Sequence, residues 1–370
     1  MSKPTMLDYV NETPGVVRAQ LAGDAGRKLA EEFLTGDYRS VRIVACGSSK
    51  NAATIARPWL RELLGLEVSV CEPYTFCRYE HELPADEFCF VVSQSGYSTN
   101  ALAALACIRE SGRLAIGVTG DVESDLREAA DVIIDYGVGE EQVGYVTKGV
   151  TSLAVFLWLF GIDVARAQGR LDNAGRDEAI AGIEAVIHNF EAVRDQTPAL
   201  LARRYKELSA MERVFLVGAG ANYGVACEGA LKYGECLQFP AMALEIDEYL
   251  HGPNLQLSPD YTIFVVACGE RDHSRARQIV DATRLVTDRV FVLTDDPAAT
   301  DADILVEPGM PELAAAISVL PFFQMTACRL TDDLDRWNKH PLQRAMEKFV
   351  SSKSANYVNS PFSEDTPGRG

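Results

Sequence analysis

Positive charge is scarce in this sequence. Its 370 residues hold 35 Lys and Arg against 53 Asp and Glu, a formal net charge of −18. No basic run breaks the acidity, and a protein that tracks a phosphate backbone needs clustered Lys and Arg. The balance argues against nucleic acid and anionic membranes as partners. Nine cysteines occur without a single Cys-x-x-Cys spacing. Several lie in apolar runs, Cys89 in FCFVV and Cys268 in FVVAC, so they read as reduced, buried thiols. No pair of His, Asp or Glu shows metal-ligand spacing of the HExxH kind, so no metal and no other cofactor is expected. The opening MSKPTMLDYVNETPG lacks the apolar core of a secretory signal. The longest apolar stretch, 149–162, has 14 residues, short of the ~18–20 a membrane span needs. It is expected to be a buried helix, and the protein to be cytoplasmic.

What is present is ordinary globular composition, 47% hydrophobic and 24% charged, over a length that suits two domains. Four apolar, β-branched runs stand in the first half: 41–46, 88–93, 114–120 and 131–136. Helical patterns separate them. Runs apolar on both faces, alternating with helices, predict a parallel sheet covered on both sides. The second half repeats the pattern at 213–220, 262–268, 289–296 and 301–308. Gly47/Gly218, Val92/Val266, Thr119/Thr294 and Asp131/Asp303 are 171 to 175 positions apart. A near-constant offset over four elements implies two copies of one α/β domain, since a solenoid would repeat every ~20–50 residues. The expected boundaries are 1–190, 191–340 and a tail, 341–370, with a polar helical connection over 165–210.

Two loops carry chemistry. Ala45-Cys46-Gly47-Ser48-Ser49 and Ser93-Gln94-Ser95-Gly96-Tyr97-Ser98-Thr99 each run from a strand into a helix. Small residues, hydroxyls and free N–H groups at a helix N-terminus suit a phosphate. Either loop alone reads as a bare capping cluster, but two on neighbouring strands favour a phosphate site. Gly218-Ala219-Gly220-Ala221-Asn222-Tyr223-Gly224 approaches the dinucleotide fingerprint, yet its third glycine is one position late. It reads as a tight turn. Glu228, Lys232 and Glu235 fall at i, i+4 and i+7, on one helix face. By themselves they read as a solvated charge triplet. His81, His188 and His273 read as surface residues, and His340 has no assigned role.

Taken together, ACGSS, SQSGYST, GYVTKG, GAGANYGVACEGALKYGE and DEYLHGP resemble the SIS (sugar isomerase) family, in the order found in the isomerase half of glucosamine-6-phosphate synthase. The resemblance covers roughly residues 5 to 350. It implies two tandem SIS domains, each a three-layer αβα, flavodoxin-like sheet. It implies that Ser48, Ser93, Gln94, Ser95 and Ser98 hold a sugar phosphate, with Ser49 and Thr147 nearby. Glu235 matches the family's catalytic carboxylate and Lys232 a lysine near the sugar hydroxyls. His251 matches the ring-opening histidine, which family members often supply from the neighbouring subunit. Glu248 either orients it or merely shares its loop. The family's tail lysine corresponds to Lys348, with Lys353 as runner-up.

These roles agree with the chemistry. Moving a proton between C1 and C2 of an open-chain sugar needs a positioned base, and a partly desolvated carboxylate serves. Ring opening needs a group that exchanges protons near neutrality, as His does. The sequence also departs from the family. SQSGET reads SQSGYS, placing Tyr97 where the family has an acid, and no N-terminal cysteine-nucleophile glutaminase is expected. The resemblance therefore points to stand-alone enzymes, aminosugar-phosphate deaminase/isomerases and fructosamine-6-phosphate deglycases, acting as homodimers without glutamine amidotransferase activity. The alternative is a non-catalytic sugar-phosphate-binding regulatory protein.

Overall fold

The computed structural model describes residues 4–142, 144–337 and 342–357. The chain divides into two compact units. Among the described residues, the first takes 4–5, 15–142, 144–176 and 342–357, and the second takes 6–14 and 177–337. Helix α1 (Met6–Ala22) is shared between them, as is the long helix that follows the first sheet.

The first unit continues with α2 (Arg27–Phe33), β1 (Ser40–Val44), α3 (Gly47–Leu64), β2 (Glu67–Cys71), α4 (Pro73–Tyr79) and β3 (Glu87–Val92). Then come α5 (Thr99–Glu110), β4 (Ile116–Thr119), α6 (Leu126–Ala129), β5 (Val132–Asp135) and α7 (Lys148–Ala167). The shared helix is α8 (Asn173–Arg203). The second unit follows with α9 (Tyr205–Ser209), β6 (Val214–Gly218), α10 (Gly220–Leu237), β7 (Ala241–Glu245) and β8 (Thr262–Ala267). It ends with α11 (Glu270–Thr283), β9 (Val290–Thr294), β10 (Ile304–Leu305) and α12 (Leu320–Asp333), and the short α13 (Gln343–Glu347) returns to the first unit.

Each unit has one five-stranded parallel sheet, ordered β2-β1-β3-β4-β5 and β10-β9-β8-β6-β7. Counted within its own unit, each reads 2-1-3-4-5, the flavodoxin-like order. The internal repeat is thus a repeat of topology. The eight expected strands are present, and each sheet holds one more, β2 and β7. Both are edge strands with mixed burial. Neither carries an uninterrupted β-branched apolar run: Glu67 and Ser69 break β2, and β7, AMALE, has no β-branched residue.

Strand β3 shows why the central strands have no alternation. All six residues are buried, but successive side chains serve opposite faces. Phe88 and Phe90 meet the rings of Phe33 and Phe160. Cys89 and Val91 join the cluster with Ala101, Leu105 and Ile108 of α5. In the second unit, Phe264 of β8 meets Tyr233 and Phe323. Ile263 and Val265 join the cluster that contains Ala276 and Ile279 of α11.

Helix α7 is longer than the apolar stretch suggested, because Asp163–Ala167 extends its C-terminal end by more than a turn. By length and composition it could cross a membrane, but 83% of its apolar window is buried inside the protein. It packs on α3. Trp158 Nε1 donates to the Ala56 carbonyl at 3.2 Å, and the Trp158 ring lies 5.3 Å from that of Trp59. A Cβ on Gly161 would come within 2.8 Å of Leu60, so glycine permits the close approach.

Candidate functional site

In the first sheet β1 and β3 are neighbours, and the chain leaves them toward opposite sides. The carboxyl ends of β1 and β3 therefore flank the topological switch point, where parallel α/β sheets bind ligands. Both serine loops begin there. After β1, Cys46 is extended and exposed, and Gly47 turns with φ +58° into α3. Ser48 is buried and Ser49 half-buried in the helix's first turn. After β3, the Ser93 N–H donates to the Val118 carbonyl at 3.0 Å, and the Gly96 N–H donates to the Ser93 carbonyl at 3.1 Å. Gly96 has φ +70°, and a Cβ there would lie 1.7 Å from Ser124 Oγ. Only glycine fits that turn. Ser98 then begins α5 as an extended N-cap. Ser93 Oγ is buried without a hydrogen-bond partner among the described residues. An idle buried hydroxyl costs roughly 1–3 kcal/mol, so it is a ready group for a ligand oxygen.

A residue not singled out from the sequence organises this loop. Gln94 Nε2 donates to Glu141 Oε2 at 2.6 Å. Glu141 also accepts from the backbone N–H of Thr147, Lys148 and Gly149 at 2.6, 3.0 and 3.3 Å. Its carboxylate caps the start of α7, where the helix dipole favours negative charge. Burial nevertheless raises its pKa, against the lowering effect of those bonds. A Cβ on Gly149 would fall 2.1 Å from Gln94 Oε1, so glycine leaves room for the amide. Thr147 is buried beside this cap, its hydroxyl donating to the Tyr145 carbonyl at 2.9 Å. The legible signal was an acid just ahead of the GYVTKG motif and a helix start.

The two tail lysines are placed differently. Lys348 is exposed just past α13. Lys353 sends its ammonium to the second serine loop, donating to Ser95 Oγ at 2.6 Å and Ser98 Oγ at 3.3 Å.

In the second unit, the charge triplet lies on α10, and it is not a solvated face. Glu228 and Lys232 are wholly buried, while the Glu235 side chain is 33% exposed. Lys232 Nζ stands 3.3 Å from Glu228 Oε1 and 2.6 Å from Glu235 Oε2. Burial pulls the lysine pKa down, but the two carboxylates outweigh it and raise it above its ordinary value. Lys232 is therefore a fixed cation that orients Glu235, and Glu235 opens to solvent.

His251 is exposed at the end of a 3₁₀ turn, Glu248–Leu250. The bond shown between it and Glu248 is a backbone one, His251 N–H to the Glu248 carbonyl at 3.0 Å. His81 and His188 are exposed as expected, and His340 lies outside the described residues. His273 differs from expectation. It is mostly buried, with Nε2 2.7 Å from Asp295 Oδ1. The reason is Asp295, which also accepts from the Gly269 N–H at 2.8 Å and so ties the loop after β8 to that after β9. Asn222, in the first turn of α10, bonds both the amide and the carbonyl of Cys268 at 3.0 Å. The loops of the second sheet are thus filled by acid, amide and imidazole groups, where the first sheet has hydroxyls.

Comparisons with known proteins agree with this architecture. A family model described as SIS domain matches residues 37–162 and 207–331. An isomerizing glutamine–fructose-6-phosphate aminotransferase of Gloeobacter violaceus is 26% identical over 334 residues, covering 87% of this chain and 54% of that protein. The chain spans about half the length of the curated relatives it matches. A solved chain from Clostridium difficile 630 superposes with TM-score 0.84 at 23% identity, over 96% of this chain and 100% of that one. Glucosamine-6-phosphate deaminase of Thermotoga maritima gives TM-score 0.72 at 16% identity, over 89% and 94%. With both halves matched and both sheets in one strand order, the chain belongs to the SIS domain family.

Proposed function

We propose that this protein is a phosphosugar isomerase acting on an amino- or amine-conjugated sugar 6-phosphate, of the deaminase or deglycase kind. The serine loops after β1 and β3 hold the phosphate through Ser48, Ser93, Gln94, Ser95 and Ser98, with Ser49 and Thr147 beside them. Glu235 moves the proton between C1 and C2, Lys232 holds that carboxylate in place, and His251 opens the ring. The protein works in the cytoplasm as a homodimer, with His251 offered to the neighbouring subunit. The observation that carries this reading is the contrast within α10, a wholly buried lysine bonded to a carboxylate that solvent still reaches. A sensor that only binds a sugar phosphate has no use for such a base. The chemistry in the names of relatives, an isomerizing aminotransferase and a glucosamine-6-phosphate deaminase, lies in the same class.

The test is to incubate the purified chain with glucosamine 6-phosphate, fructose 6-phosphate and a fructosamine 6-phosphate, and to follow released amine and interconverted sugar. Turnover of one of them is expected. Tight binding with no product would establish the sensor instead.

A further inference from the structure

The tail lies along the second serine loop. Lys353 pairs with Ser98 in a single antiparallel bridge. The Thr99 N–H donates to the Ser352 carbonyl at 3.1 Å, and the Ser354 N–H to the Tyr97 carbonyl at 2.9 Å. Asn356 Nδ2 donates to Asp125 Oδ1 at 3.0 Å, and the Tyr357 ring lies 5.5 Å from the Tyr97 ring. Residues 351–357 thereby follow the loop, with the Lys353 ammonium at two of its hydroxyls and the Tyr357 ring beside Tyr97. The ammonium meets only neutral partners, the Ser95 and Ser98 hydroxyls and, at 5.1 Å, the Tyr357 ring. No carboxylate reaches it among the described residues.

That is an unfavourable place for a lone cation. The positive end of α5, a 12-residue helix, repels an ammonium and attracts an anion. Burial adds to the cost and lowers the lysine's pKa. In the same loop, Ser93 Oγ is buried and idle. A cation, a helix N-terminus and an unused hydroxyl converge on one loop of an otherwise strongly acidic chain. One anion with several acceptor oxygens would satisfy all three, and a phosphate monoester is that anion.

We propose that Lys353 is a direct ligand of the substrate phosphate and the residue that selects phosphorylated over unphosphorylated sugars, not a group acting at the sugar carbons. This rests on the phosphosugar reading above. The test uses the full chain, titrated calorimetrically with inorganic phosphate, fructose 6-phosphate and fructose. The wild type is expected to bind the first two and not fructose. Lys353→Gln should weaken both by about ten- to a hundredfold, the scale of one hydrogen bond to a charged group. Lys353→Arg should keep most of the affinity, which separates lost charge from a misfolded tail. In turnover, Lys353→Gln should raise KM and leave kcat nearly unchanged. Wild-type phosphate affinity in Lys353→Gln would overturn the proposal and leave the phosphosugar reading standing. So would a loss in kcat alone, or weakened phosphate binding in Lys348→Gln but not in Lys353→Gln. A wild type that binds neither phosphate nor fructose 6-phosphate would overturn both.

Discussion

At the scale of the residue, burial turns ordinary charges into chemistry. Glu228, Lys232 and Glu235 look like a solvated triplet by spacing alone, because spacing says which side chains share a helix face and not what covers it. Once two of the three are buried, their energies change. Removing the lysine leaves the Glu228 carboxylate without its counter-charge in the core. Lys232→Met should therefore cost about 3–5 kcal/mol of stability, read from the urea midpoint. Pairing it with Glu228→Gln should recover much of the loss, and equal losses in the single and double variants would refute the ion-pair account. Glu235 is a different case, because solvent reaches it. Glu235→Gln should keep substrate affinity and lower kcat by about 10²–10⁴-fold. An unchanged kcat would remove it from the mechanism.

At the scale of the element, helix α7 shows how one acid couples a helix to the second serine loop. Glu141 caps the helix and fixes the Gln94 amide. Burial raises its pKa above the ordinary glutamate value, so the folded state holds the proton more tightly than the unfolded chain. This contribution to stability is complete below about pH 4.5 and declines as pH rises through the folded value. Glu141→Gln lacks that titration. The melting temperature of the wild type relative to the variant should therefore fall between pH 4 and pH 8. A difference that grows with pH would show a carboxylate stabilised by its four donors, with a lowered pKa. The β-branched apolar runs reveal eight strands, and they miss β2, broken by Glu67 and Ser69, and β7, which has no β-branched residue. The acid ahead of a helix start is legible, but its bond to Gln94 is not, because that partner lies 47 residues earlier.

At the scale of the whole molecule, two sheets of one topology carry unequal loops. Hydroxyls line the switch point of the first, while Asp295, His273 and Asn222 fill the loops of the second. The two copies thus share a topology and differ in the side chains at their loops. If His251 serves the neighbouring subunit, mixing inactive Glu235→Gln and His251→Asn chains should restore part of the activity after subunit exchange. No recovery in a mixture shown to exchange would place the histidine in its own chain's site. The amino-acid sequence determined the class of fold, the duplication, the family and most of the candidate residues. Those depend on local patterns, two-sided apolar strands, glycine turns and motif spacing, which the chain writes in consecutive positions. Only the tertiary structure decided which charges are buried, that His273 is tied to Asp295, that Glu141 braces Gln94, and that Lys353 is the tail lysine at the serine loop. Each of these depends on what a distant segment places beside a side chain, and Lys353 reaches a loop more than 250 residues earlier in the chain.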